Sequence, residues 1–363
     1  MDSIMGCCVS KEDLMMSTPS QLGFFDLTTR YEALSQKGDP LEQLAQVVPW
    51  EAFRPALAKV LRRSKRTQGG RPPFDAICMF KVLVLQALYN LSDDQTEYQI
   101  RDRLSFMRFL GLDLAQRIPD AKTIWLFRET LAQAEVVEAL FKQFDAYLAD
   151  QGLQPRGGQL IDASLVPVRK QRNTREENAA IKAGQSPTKW EADPAKRRQK
   201  DIDARWTVKH GDNHYGYKNH VNVDKQHKLI RRYTVTNAAV HDSQVLETVL
   251  QPKSAGRGVW ADSAYRSQET EALLKRQHLR SHIQEKGYRD KPLTSQQKAR
   301  NRRRARTRVR VEHVFGHQVT AMGGKLIRTI GVIRARAKIG LKNLVYNFQR
   351  VRFLTAITRH QMA

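Results

Sequence analysis

Residues 159–168 read QLIDASLVPV, an apolar, β-branched run that follows Gly157-Gly158 and carries one carboxylate, Asp162, in its middle. Such a run is the signature of a buried strand, and a carboxylate inside one is costly unless it is bound to a metal or hydrogen-bonded. The same setting recurs at 259–267, VWADSAYRS, where Asp262 ends a strand-like run. A third carboxylate, Glu312, lies in 308–316, RVRVEHVFG, which has helical spacing and a basic approach.

Around these segments the pattern predicts further strands at 216–224 and 228–240, a helix starting at Asp242 or Ser243 and a strand at 257–262. A helix from Ser267 to about His278, a short strand near 281–285 and a long basic helix from about Thr294 to Val319 complete the region. The stretch 169–203 is polar and charged and reads as a surface loop or arm. Ahead of residue 150 the chain reads as helical. Two helical pieces over 41–62 are split by Pro49, and a basic Gly/Pro hinge covers 63–73. A strongly apolar helix spans about 74–90, Ser92 and Gln95 form a capping box for a helix through about Leu110, and Gly111 ends it. Pro119-Asp120 opens the next helix, and an amphipathic one runs to about Leu148. Two short helices on a tight link suit a helix-turn-helix or a plain bundle.

The expected organisation is therefore a loose segment at 1–40, a helical DNA-binding domain at 41–155, an α/β catalytic domain at 156–330 and a basic helical segment at 331–363. The order strand, strand, strand, helix, strand, then helices is the layout of a ribonuclease H-like domain. Strand Asp, strand Asp, helix Glu is the order a two-metal phosphoryl-transfer centre needs. Carboxylates on rigid elements can hold two Mg²⁺ ions about 4 Å apart, one for the attacking oxygen and one for the leaving oxygen. Asp201, Asp203, Asp224 and Asp242 compete for the role. Asp242 suits an N-cap, Asp224 a turn after a strand, and Asp203 is the strongest rival, as an auxiliary active-site group.

Lys+Arg number 62 against 37 Asp+Glu, a formal net charge of +25 over 363 residues. That excess points to a polyanion, and nucleic acid is the commonest. The approach to Glu312 carries Lys298, Arg300, Arg302, Arg303, Arg304, Arg306, Arg308 and Arg310 with no intervening acid, a row suited to gripping a phosphate backbone. A zinc set of Glu312, His313 and His317 lacks the His-Glu-x-x-His order. No Walker A loop, dinucleotide glycine pattern or Gly-x-Ser-x-Gly elbow is present. Cys7, Cys8 and Cys78 make neither a disulfide framework nor a zinc spacing, which suits a reducing, cytoplasmic setting. No apolar run reaches membrane-spanning length. The myristoylation-like MGCCVS at 5–10 reads as accidental, with Met16 as the expected true start.

With these segments in view, the chain resembles bacterial insertion-sequence transposases of the DDE class, in the group allied to insertion sequence five. The likeness covers about 60–355 and includes GRPPFDAICMFKVLVLQALYNLSDDQTEYQIRDRL, PDAKTIWLFRETL, DARWTVKHGDNHYGYKNHVNVD, TVTNAAVHDSQ and NLVYNFQRVRFL beside the three carboxylate segments. It implies that Asp162, Asp262 and Glu312 are the metal-binding triad, with two Mg²⁺ ions for which Mn²⁺ can substitute. It further implies terminal inverted repeats and target DNA as partners and a homodimer that brings two ends together. A related branch carries Tyr three residues before the Arg and Lys seven residues after the Glu; here Arg308 and Glu312 match, whereas Ala305 and Val319 stand at those two places. A catalytically silent DNA-binding relic and a two-metal structure-specific nuclease are the alternatives.

Overall fold

The computed structural model describes residues 25–61, 72–209, 211–251 and 258–362; the readings placed on residues 5–16 and on most of the 63–73 hinge lie outside them. The first half is helical: α1 (Asp26–Gln36), α2 (Pro40–Val47), α3 (Arg54–Val60), α4 (Ala76–Tyr89), α5 (Asp93–Asp102), α6 (Leu104–Leu110), α7 (Ala121–Gln133) and α8 (Val136–Asp150). Helix α4 is apolar on nearly every side and is accordingly buried on nearly every side, as a central helix must be. Asp75 accepts from the Ile77 and Cys78 N–H groups at its start, and Asn90 ends it in the left-handed conformation. No single helix among the described residues is long and apolar enough to cross a membrane.

The helix expected over 92–110 is two. Its capping box at Ser92 and Gln95 forms as read, but Arg103 takes an extended conformation (φ −107°, ψ 113°) and separates α5 from α6. The bend turns Phe106, Met107, Phe109 and Leu110 into the core, a tertiary demand that overrides local helix propensity.

The second half is built on one sheet: β1 (Gln159–Pro167), β2 (Arg205–Lys209), β3 (Asp212–Asp224), β4 (Ile230–Asn237), β5 (Gly258–Trp260) and β6 (Arg280–Ser281). Strand β1 is central. It runs antiparallel to β3 and parallel to β5, which in turn runs parallel to β6. The far edge of β3 is shared by β2 and β4, both antiparallel. Strand β2 falls between the 169–203 stretch and the strand expected at 216–224, where no element was expected, and β6 is shorter than the 281–285 strand expected.

The stretch 169–203 is not an open loop. It folds into α9 (Arg175–Lys182), α10 (Thr188–Glu191) and α11 (Pro194–Arg198). A Thr174/Glu177 capping box starts α9, and Trp190 is fully buried with its indole N–H donating to Glu177 at 2.7 Å. The buried indole and this cap, with buried Ile181, the Asp193 cap of α11 and the Lys196–Glu177 pair, order a segment whose composition is otherwise polar.

Helices cover both faces of the sheet. Helix α12 (Leu246–Val249) and α13 (Gln268–Arg276) bury Val245, Leu246, Val249 and Leu274 with Ile161, Val259 and Ala261. Helix α14 (Ser295–Thr320) lies on the opposite face, where Val311, Val314 and Phe315 join a core that also holds Leu160, Val221 and Val223. Helix α15 (Val332–Met362) runs through the middle of the molecule: Phe348 packs 4.7 Å from Phe144, and Leu341, Leu344 and Val345 are buried in the same cluster as α4 and β4 residues. Its Asn347 amide accepts from the Ile230 N–H at 2.9 Å and donates to the Ile230 carbonyl at 2.7 Å, so a side chain satisfies the outer edge of β4 as another strand would.

Candidate active site

Successive side chains of a strand face opposite ways, which settles where the carboxylates point. Leu160 packs in the cluster on the α14 face and Ile161 in the cluster on the α12–α13 face, so Asp162 returns to the α14 side. On β5 the same alternation holds, with Val259 and Ala261 on the α12–α13 side and Trp260 on the other. The parallel register pairs Gln159 with Val259 and Leu160 with Trp260. Asp262 follows two residues beyond the last pair, near enough for its charge to act on Asp162.

Asp262 also caps the turn that follows β5, its Oδ1 accepting from the Ala264 N–H at 2.9 Å. The third residue arrives on α14, which starts at a Thr294/Gln297 capping box and crosses β1 and β5. Arg308 joins the set: its Nη1 donates to Asp162 Oδ2 at 2.6 Å and its Nη2 to Glu312 Oε1 at 2.7 Å. Glu312 is half exposed, with 52% of its side chain open to solvent, whereas the Asp162 side chain is only 14% exposed. Burial pushes the Asp162 carboxyl up to about 6; the Arg308 charge and the Ala163 N–H pull it back down, and Asp262 pushes it further up.

Two buried polar atoms here, Tyr265 Oη and Arg308 Nε, have no hydrogen-bond partner among the described residues. The Tyr265 hydroxyl is held far above its ordinary pKa by burial first and then by Asp242, Asp162 and Asp262. Trp260, by contrast, is a packing residue. It stacks on His282 with centroids 4.5 Å apart and lies under the Lys225 ammonium. Gly158 makes room for it: a Cβ there would sit 2.4 Å from the indole, and its φ of +110° is glycine territory.

The basic row on α14 divides. Arg300, Arg304 and Arg308 recur every four residues and each has a protein partner: Arg300, itself exposed, pairs with Glu285 at 2.9 Å and the half-buried Arg304 donates to the Ile283 carbonyl at 2.7 Å. Arg310 donates to the Lys225 carbonyl at 3.2 Å. Lys298, Arg302, Arg303 and Arg306 are exposed, and no hydrogen bond or ion pair engages them among the described residues. Lys325, which no sequence pattern singled out, donates to Ser164 Oγ and feels the Asp162 charge, with Lys209 nearby. It follows Gly323-Gly324 on the α14–α15 connection, where only the fold brings it to β1.

The competing aspartates are absorbed by structure. Asp201 accepts from the Tyr217 hydroxyl at 2.8 Å and from the Gly331 N–H at 3.1 Å, and Asp203 accepts from the Val332 N–H at 2.9 Å, so both secure the start of α15. Asp224 makes the turn between β3 and β4, accepting from the His227 and Leu229 N–H groups. Asp242 is not the N-cap expected; His241 caps that turn, and Asp242 pairs with Lys218 at 2.9 Å. His317 packs edge-on against Tyr346, away from any zinc role. Among the described residues no three Asp, Glu, His or Cys side chains converge tightly enough to hold one metal ion as they stand. The guanidinium of Arg308 lies between Asp162 and Glu312 instead. The donor set itself, carboxylate oxygens only, suits a hard divalent cation.

Two family models match the chain: a transposase domain (DUF772) over residues 29–130 and a transposase DDE domain over residues 153–348, the latter more than half of the sequence. The chain belongs to the DDE transposase family. Among solved structures, the cryo-EM structure of a piggyBac transposase synaptic complex with hairpin DNA aligns over 88% of this chain and 74% of that one, at 12% identity and a TM-score of 0.43, a likeness too slight to carry any detail.

Proposed function

We propose that the chain is the transposase of a bacterial insertion sequence, in the group allied to insertion sequence five. In this reading it binds the terminal inverted repeats, cuts DNA strands there by metal-dependent hydrolysis and joins the freed 3′-hydroxyl to target DNA. The observation that carries the reading is Arg308, which bonds both Asp162 and Glu312, with the Asp262 charge acting on Asp162 from the end of the strand parallel to β1. The sheet, antiparallel on one side of β1 and parallel on the other, supports a ribonuclease H-like assignment for the catalytic region.

Asp162, Asp262 and Glu312 would hold two Mg²⁺ ions, with Mn²⁺ as a substitute. Bound there, such ions supply Lewis acidity for the attacking and leaving oxygens of an in-line displacement. Arg308 neutralises Asp162 and Glu312 here, and with cations held by those carboxylates its guanidinium would be available to a phosphate of the scissile strand. The exposed Lys298, Arg302, Arg303 and Arg306 grip the backbone alongside, and the Lys325 ammonium, bonded to Ser164, lies within the field of Asp162. The helical region 41–155 takes end recognition, a homodimer brings two ends together, and the protein works on the nucleoid in the cytoplasm.

The test is to incubate the purified protein, with and without Mg²⁺, on a plasmid carrying the DNA that flanks its gene. Metal-dependent breaks at the element ends support the proposal. Cutting that ignores end sequence favours a structure-specific nuclease, and binding without cutting favours a silent relic.

A further inference from the structure

A second concave site lies away from the carboxylates. A cavity of about 730 Å³ opens between α4, α7, the 197–203 segment and the connection that leads into α15. That volume falls within the range of small-molecule sites, roughly 300–1,000 Å³. Eight of its lining side chains are Arg or Lys and only Glu129 and Asp203 are acidic. Several cations are already committed: Arg128 to Asp93, Arg334 to Glu129 at 2.7 Å, and Lys342 to the Met322 and Gly324 carbonyls. Arg198, Arg328 and Lys338 make no hydrogen bond or ion pair among the described residues. Burial, and then the charge of Arg128, depresses the Lys338 ammonium, so an anion beside it would relieve a real cost.

The floor is apolar, with Leu83, Leu131, Ile202 and Leu341, and Trp125 stands at the wall half exposed. An inorganic anion would leave that surface uncovered. We propose that the cavity binds a nucleoside phosphate, its phosphate held by Arg198, Arg328 and Lys338 and its base laid on the apolar floor beside Trp125. The ligand is either a free nucleotide or an unpaired nucleotide at a DNA end. One wall connects to the carboxylate site: Ile327 bridges to Val168 just beyond β1, and Lys325, two residues earlier, bonds Ser164. Nucleotide binding here needs none of the three carboxylates, so an Asp162→Asn protein should retain it even if the transposition reading fails.

Calorimetric titration of the full chain with dAMP, and separately with inorganic phosphate and deoxyadenosine, tests the proposal. Saturable dAMP binding at least about tenfold tighter than either fragment is expected, as is about tenfold weakening in Arg328→Gln and in Lys338→Gln, the effect of removing one charge-assisted hydrogen bond. Arg328 is exposed, so its variant should fold normally, which circular dichroism would verify. Displacement of dAMP by a duplex with an unpaired terminal nucleotide, but not by a flush duplex, would assign the site to DNA ends; displacement by neither would assign it to free nucleotide. Absence of saturable dAMP binding, or binding indifferent to both variants, overturns the proposal.

Discussion

Asp162 shows what a single residue contributes and what it costs. Its carboxyl titrates near 6 in the folded protein, raised above the roughly 3.9 of an unfolded chain mainly by burial. The folded state therefore holds that proton more tightly, and this group's contribution to stability is greatest below about pH 4 and is lost as pH rises through about 6. With the side chain 14% exposed, the loss for the metal-free protein should amount to at most about 3 kcal/mol, and Asp162→Asn should flatten that part of a urea-unfolding pH profile. Gly158 makes the complementary case by its missing Cβ. Gly158→Ala combines a positive φ with an indole clash and should destabilise the protein by about 2–4 kcal/mol in denaturant titration, without changing the slope. At this scale the sequence was informative where a residue acts on its neighbours. The Ser92, Asp120 and Thr294 caps could be read directly, whereas Asp203 caps a helix that begins 129 residues later, and nothing near it says so.

Among the elements, α14 links structure to substrate. Its Arg300 and Arg304 are engaged by protein partners, so the free outward cations, together with Arg308 at the carboxylates, are what the helix offers DNA. Replacing Arg302, Arg303 and Arg306 together with Gln should lower the slope of log affinity against log salt by about 2–3, near 0.9 for each phosphate no longer neutralised, while Arg300→Gln leaves the slope nearly unchanged. Equal changes would mean that the facing of the helix is wrong. Helix α15 serves the sheet instead. Asn347→Leu strands the Ile230 N–H and carbonyl in the core and should cost about 2–4 kcal/mol of stability, read by chemical denaturation. Element reading succeeded where period and caps agreed, as in α4, α7, β1 and α13. It failed where tertiary packing chose otherwise: at Arg103, where a helix breaks with no Gly or Pro to announce it, and at 169–203, where Trp190 organises a segment of loop-like composition.

For the whole molecule, the helical first half and the α/β second half could be anticipated, because hydrophobic period changes near residue 156. The meeting of Asp162 and Asp262 was expected from the carboxylate order and the resemblance. Its structural basis was not legible, since it depends on which strand lies parallel to β1 and in what register. Nor was the passage of α15 through the shared core, or the arrival of Lys325 at β1. The molecule places Asp162 and Glu312 on one arginine, with Asp262 near enough for its charge to act on Asp162, on a chain with an excess of 25 positive charges. That these carboxylates act together on DNA is tested most directly by comparing wild type and Asp262→Asn on labelled end DNA, measuring binding by anisotropy and Mg²⁺-dependent strand cleavage in the same samples. Binding should be unchanged or slightly tighter, because a negative charge near phosphate is gone. Cleavage should fall by at least about a thousandfold, on the order of 4 kcal/mol of transition-state stabilisation. Cleavage at the wild-type rate in the Asp262→Asn protein would contradict the joint role of the three carboxylates.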